Sequence, residues 1–177
     1  EAARRRVPGR LCVLAGMEIT SAEEAHVLGL FPTAHAAENA GTELGRLLGD
    51  ADATYSAFWG EQHLLDADGD PLGSETRALA LATPLELGAA VSLIHNHGGL
   101  ALAAHVDRPA FGVISQLGFF PLSAGFDGVE ISRHLQDDSP RLAEIALLGL
   151  PVTSASDAHY LDEIGCARTV VQAGAPT

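Results

Sequence analysis

The strongest constraint on the fold of this chain is a set of short, unbroken apolar segments, each ending in a carboxylate or a histidine. "LCVLAGMEIT" (11–20) carries Glu18 near its end, "LALAAH" (100–105) ends in His105, and "DGVEIS" (127–132) carries Glu130. "PVTSAS" (151–156) runs into Asp157 and His159. Strands without polar alternation suit a parallel sheet buried on both faces. In α/β barrels the C-terminal edge of such strands is where functional groups gather. Four separate strands delivering imidazole or carboxylate to one edge point to a shared metal site. Those donors together suit Zn, Mn or Fe, and a carboxylate can bridge two ions. Paired ions are a standard device for hydrolysing phosphate esters.

The remaining elements are of uneven clarity. "HVLGLF" (26–31) is a second short strand, opened by His26. "AAENAGTELGRLLG" (36–49) reads as a helix interrupted by glycine, and residues 50–82 as an irregular excursion in which "SETRALALA" could be helical. The acidic loop "DADGD" (66–70) lacks the full spacing and distal glutamate of a calcium loop. Thr83, Pro84 and Glu86 predict a capping box for a helix that continues through Leu87, Ala90, Val91 and Ile94 and stops at Gly98 and Gly99. "GVISQLG" (112–118) and "RLAEIALLG" predict two further helices, the second opened by Ser139-Pro140. "LDEIG" predicts a helical turn and "RTVVQ" a last strand. His95 and His97, in "HNHGG", stand two apart near a helix end and point about 200° apart, so they cannot close on one ion. His35, His63 and His134 are expected at the surface, and Cys12 is expected to pack as a small apolar residue.

With 177 residues, the chain is long enough for one domain and short for two. A formal charge of −13 disfavours nucleic acid and anionic membranes unless metal ions intervene. Two cysteines, neither in a C-x-x-C pair, suit a reduced cytoplasmic setting. No apolar run reaches the roughly 18–20 residues of a membrane span. "EAARRRVPGR" reads as a helix tail entering a turn, as if the sequence began inside a domain.

"GMEIT", "HVLGLF", "HGGLALAAHVDRP", "DGVEIS" and "SASDAHYLDEIG", in that order, resemble the PHP family, the polymerase and histidinol phosphatase domain. The resemblance implies a distorted seven-stranded (β/α) barrel of TIM-like shape and a metal-dependent phosphoesterase holding up to three divalent ions, Zn, Mn or Fe. Carried over by residue, Glu18 is similar to the family's bridging carboxylate, His26 to the histidine after it, and His105 to the histidine closing the "AAH" strand. Asp157 and His159 match the late Ser-Asp-Ala-His motif, and Arg108 resembles an arginine suited to bidentate phosphate contact. The family's early His-x-His and Asp-His motifs do not precede Glu18. On this reading residues 1–177 are a single domain of PHP type, N-terminally incomplete, comprising roughly the C-terminal two-thirds and lacking the first strands. The implied reaction is hydrolysis of a phosphate monoester, or a nucleotide or oligonucleotide phosphodiester, by metal-activated water. No membrane and no stable duplex DNA partner is expected. Two alternatives stand beside it: a non-catalytic metal- or partner-binding module, and an amidohydrolase-like enzyme cleaving a C–N bond.

Overall fold

The computed structural model describes residues 12–172. The predicted helix tail at the N-terminus lies outside them. A five-stranded sheet runs in the order β1 (Ala15–Thr20), β2 (His26–Phe31), β5 (Leu100–Ala103), β6 (Gly128–Ile131), β7 (Val152–Ser154). The helices are α1 (Ala34–Gly45), α2 (Ala53–Trp59), α3 (Leu87–Asn96), α4 (Val113–Leu117) and α5 (Pro140–Ala146).

The sheet is mixed, which corrects the parallel expectation. β2 is antiparallel to both β1 and β5, and only β5, β6 and β7 run parallel. The cause is the five-residue link from Thr20 to His26, which is long enough for a hairpin and too short for a parallel crossover. The described strands form an open sheet and not the closed barrel the resemblance implies. Because β2 is reversed, its first residue lies at the edge where the other four strands end. His26 therefore reaches the same edge from the opposite chain direction.

Period-two alternation divides the sheet. Val27, Phe31, Ala101, Ala103 and Val129 go to one face and pack with Ala40 of α1 and with Leu87, Ala90, Val91 and Ile94 of α3 in a buried apolar core. Register places Glu18, Leu28, Leu102 and Gly128 in one row on the other face, with His26 and Glu130 beyond it. The helices thus give the sheet its stability on one side and leave Glu18, His26 and Glu130 on the other.

α3 starts at Leu87, three residues after Pro84, the predicted first helical residue. Thr83 is used elsewhere: its N–H and hydroxyl both donate to the Thr20 carbonyl, closing the end of β1. The cap comes from a distant residue, as both Glu23 carboxylate oxygens accept the Leu87 N–H at 3.1 Å. Burial alone would raise the Glu23 carboxyl, but hydrogen bonds from the Leu87 N–H, the Ser21 side chain and its own backbone together outweigh it and lower its pKa. The stabilisation is therefore complete above the ordinary carboxylate pKa near 4.5 and fades as the pH falls below it. Glu23→Ala should cost about 1 kcal/mol at neutral pH, as lost caps do. In thermal unfolding its gap from the parent should narrow at pH 3.

The excursion contains α2 and a hairpin of β3 (His63–Leu65) and β4 (Pro71–Ser74). "DADGD" is the hairpin turn: the Asp66 carboxylate accepts from the Asp68 and Asp70 N–H groups. "SETRALALA" is not helical, and "RTVVQ" forms no strand. Cys12 is exposed, against the expectation that it packs. No helix among the described residues is long and apolar enough to cross a membrane.

Candidate metal centre

Glu18, His26 and His105 are the only three His, Cys, Asp or Glu residues among those described whose ligand atoms lie within 4.8 Å of one another. Glu18 Oε1 is 3.2 Å from His26 Nδ1 and 3.5 Å from His105 Nε2, and the two nitrogens are 3.2 Å apart. Metal bonds of 2.0–2.1 Å at tetrahedral angles put neighbouring ligand atoms about 3.3–3.4 Å apart. The three atoms thus have the spacing of one face of such a site. His105 is 2% exposed, and its other ring nitrogen, Nδ1, is buried without a hydrogen-bond partner. Its polar contacts are concentrated on the Nε2 side, toward the shared point. Burial pushes the Glu18 carboxyl upward, but hydrogen bonds and charge from His105 and His26 outweigh it and leave the pKa at about 2. An anionic carboxylate and two imidazoles are a donor set that fits a divalent ion.

Local backbone explains how His105 arrives there. β5 ends at Ala103, and His105 adopts a left-handed φ of +29°, uncommon for a residue with a side chain. Such strain persists where surrounding contacts over-determine it. Here the Val106 N–H donates to the Glu130 carbonyl, and Asp107 accepts from both the N–H and the hydroxyl of Ser132. The turn after His105 is therefore tied to the end of β6. Glu130 itself is buried, and burial raises its pKa; nearby Asp157 and Glu18 add to the rise, while His105 opposes it. It stands outside the three-ligand group.

Asp157 and His159 also stand outside that group. Asp157, with φ +46°, forms an ion pair with Arg108 at 2.8 Å. His159 is largely exposed, its Nδ1 on the Asp157 carbonyl at 2.9 Å. Together Arg108, Ser132, Arg133, His134, Asp157 and His159 line a pocket of about 100 Å³. Arg108 is one turn past His105, its N–H donating to the His105 carbonyl. His134 is exposed as expected but belongs to this pocket. Arg133 donates to Glu163 at 2.6 Å, and Glu163 accepts the N–H groups of His159 and Tyr160. The Arg133 bond, with that from His159, holds the Glu163 carboxyl at about 2. Arg133 was not singled out in the sequence because its role depends on Glu163, thirty residues away. His95 pairs with Asp127 and His97 with Glu43, so the two face different partners.

The fold and site define a class: a mixed α/β sheet carrying a two-histidine, one-carboxylate centre at the strand edge, beside an arginine-bearing pocket. Residues 143–177 match the family model described as PHP-associated. The fold is shared with EndoQ of Pyrococcus furiosus, a lesion-specific endonuclease, at 18% identity and a TM-score of 0.55, over 81% of this chain and 30% of that one. It is shared too with a candidate metal-dependent phosphoesterase of Bifidobacterium adolescentis, at 17% identity and a TM-score of 0.55, over 89% of this chain and 71% of that one. A search of curated proteins finds no match. These findings bear out the resemblance to the PHP family. The chain spans about a third of the length of EndoQ.

Proposed function

We propose that this chain carries one metal position and the phosphate-binding arginine of a metal-dependent phosphoesterase. The spacing of Glu18, His26 and His105 is the observation that carries this reading. Those three residues would hold the ion, which when bound supplies Lewis-acid activation of water and of the phosphoryl group. Arg108 lies within one turn of His105 and offers a guanidinium to a phosphate oxygen. Asp157 keeps that guanidinium aimed into the pocket. In a chain of net charge −13 whose ten basic residues are all arginine, two arginines and two histidines around one small pocket make a local site for an anion. The substrate is a phosphate monoester or a nucleotide phosphodiester, and the setting is cytoplasmic. Asp157 and His159 stand apart from the three-ligand group and would serve further ions, so the chain should bind one ion well and turn over slowly.

A second reading, a metal-binding module without catalysis, is favoured by the Arg108–Asp157 ion pair, which engages two functional groups with each other. Zn- or Mn-loaded protein assayed on phosphate monoesters, a dinucleotide and simple amides separates the two. The enzyme reading expects slow phosphate release that EDTA abolishes, with Arg108→Gln lowering kcat/KM about tenfold or more, as loss of a charged phosphate contact does. Metal binding with no hydrolysis of any ester would support the module, and amide cleavage alone would overturn both.

A further inference from the structure

A metal-ligating imidazole ordinarily has its second nitrogen oriented by a hydrogen bond. His26 lacks that device: among the described residues its hydrogen-bonding and ionic ring contacts are Glu18 and His105, both at Nδ1. The torsion that turns the ring is broad, so nothing intrinsic fixes the plane in which Nδ1 points at those two partners. Another group must hold the ring.

The group in place is Phe111. Its ring lies 4.5 Å from the His26 imidazole, nearly parallel at 17°, while His105 meets the same imidazole edge-on. The Phe111 carbonyl accepts the His26 N–H at 2.9 Å, fixing the backbone beneath the ring. Phe111 has a φ of +59°, which is costly for a bulky aromatic residue. A glycine would adopt that backbone freely, so an aromatic side chain there meets a need other than local conformation.

We propose that Phe111 is a positioning residue of the metal centre: its stacked ring fixes the plane of the His26 imidazole, the plane in which Nδ1 meets Glu18 and His105. This rests on the metal-centre reading above. The same eight-residue turn then sets both histidines, presenting His105 at its start and clamping His26 near its end.

The test uses the whole chain, Zn²⁺ competed against a chromogenic chelator, and Co²⁺ absorption as a reporter of ligand geometry. Phe111→Gly removes the ring and relieves the backbone, Phe111→Ala removes the ring alone, and Phe111→Tyr keeps a ring. The Gly and Ala variants should both lose about 10–100-fold in Zn²⁺ affinity, the usual cost of losing an outer-shell partner, with an altered Co²⁺ band. Phe111→Tyr should stay within about threefold of the parent. A glycine variant that folds and binds Zn²⁺ as tightly as the parent would overturn the role of Phe111 and leave the metal centre standing. A parent protein that takes up no Zn²⁺ or Co²⁺ would overturn both.

Discussion

Glu18→Gln should reduce divalent-ion affinity by at least about a hundredfold, and His105→Ala should bring metal content to background while the parent holds close to one ion per chain. The physical reason is the same in both. Three ligand atoms within 3.5 Å of one another give an ion most of its binding energy, and removing one leaves two donors and an open flank. Glutamine preserves the shape of Glu18 and removes only its charge, so its effect measures electrostatics and not packing. With its carboxyl at about 2, Glu18 remains an anionic donor throughout mild acid. In the metal-free protein the lowered Glu18 pKa stabilises the fold fully above about pH 4.5, and that contribution is lost toward pH 2. Saturating metal at a hundred times Kd would add about 2.7 kcal/mol of stability, visible as a higher Tm in the parent and absent in the variants. Parent-like metal content in both variants would remove the centre from these residues.

Much of this site can be read from the sequence because strand periodicity and strand ends are local properties. Glu18 and His105 follow from apolar segments that stop at a titratable residue. His26 was identified through the family resemblance, and its position is understandable only once β2 is known to run antiparallel. The sheet order was not legible, since β1–β2–β5 pairing depends on which strands the helices cover. The start of α3 was misread for a similar reason. Thr83-Pro84-Leu85-Glu86 has the pattern of a cap, but Thr83 closes β1 and Glu23, sixty-four residues earlier, supplies the cap. Phe111 and Arg133 carry no motif at all. They matter because a wound turn and a distant glutamate place them, and such placement is tertiary. The strained backbones of His105, Phe111 and Asp157 are likewise invisible until the chain is folded.

That turn is the source of the second large effect. Gly112→Ala should destabilise the protein by about 1–3 kcal/mol, the usual cost of overpacking, and should weaken ion binding about tenfold without touching a ligand. Gly112 has an ordinary negative φ as the N-cap of α4, so the demand on it is space and not conformation. A Cβ built there would lie 2.5 Å from the Arg108 carbonyl oxygen and 3.1 Å from that of His105. Neither oxygen is free to retreat. The Arg108 carbonyl accepts the Ser115 hydroxyl, and the His105 carbonyl accepts the Arg108 N–H. The turn must therefore open, and opening it moves His105 at one end and Phe111 beside Gly112 at the other. Gly88 in α3 is the control: a Cβ there meets nothing within 4 Å, and Gly88→Ala should raise stability by about 0.5–1 kcal/mol through helix propensity. Paired denaturation and Zn²⁺ titration of the two alanine variants separate the effects. If Gly112→Ala matched Gly88→Ala in both measurements, the turn would not be the rigid element that aligns the two histidines, and their spacing would have to be set by the sheet alone.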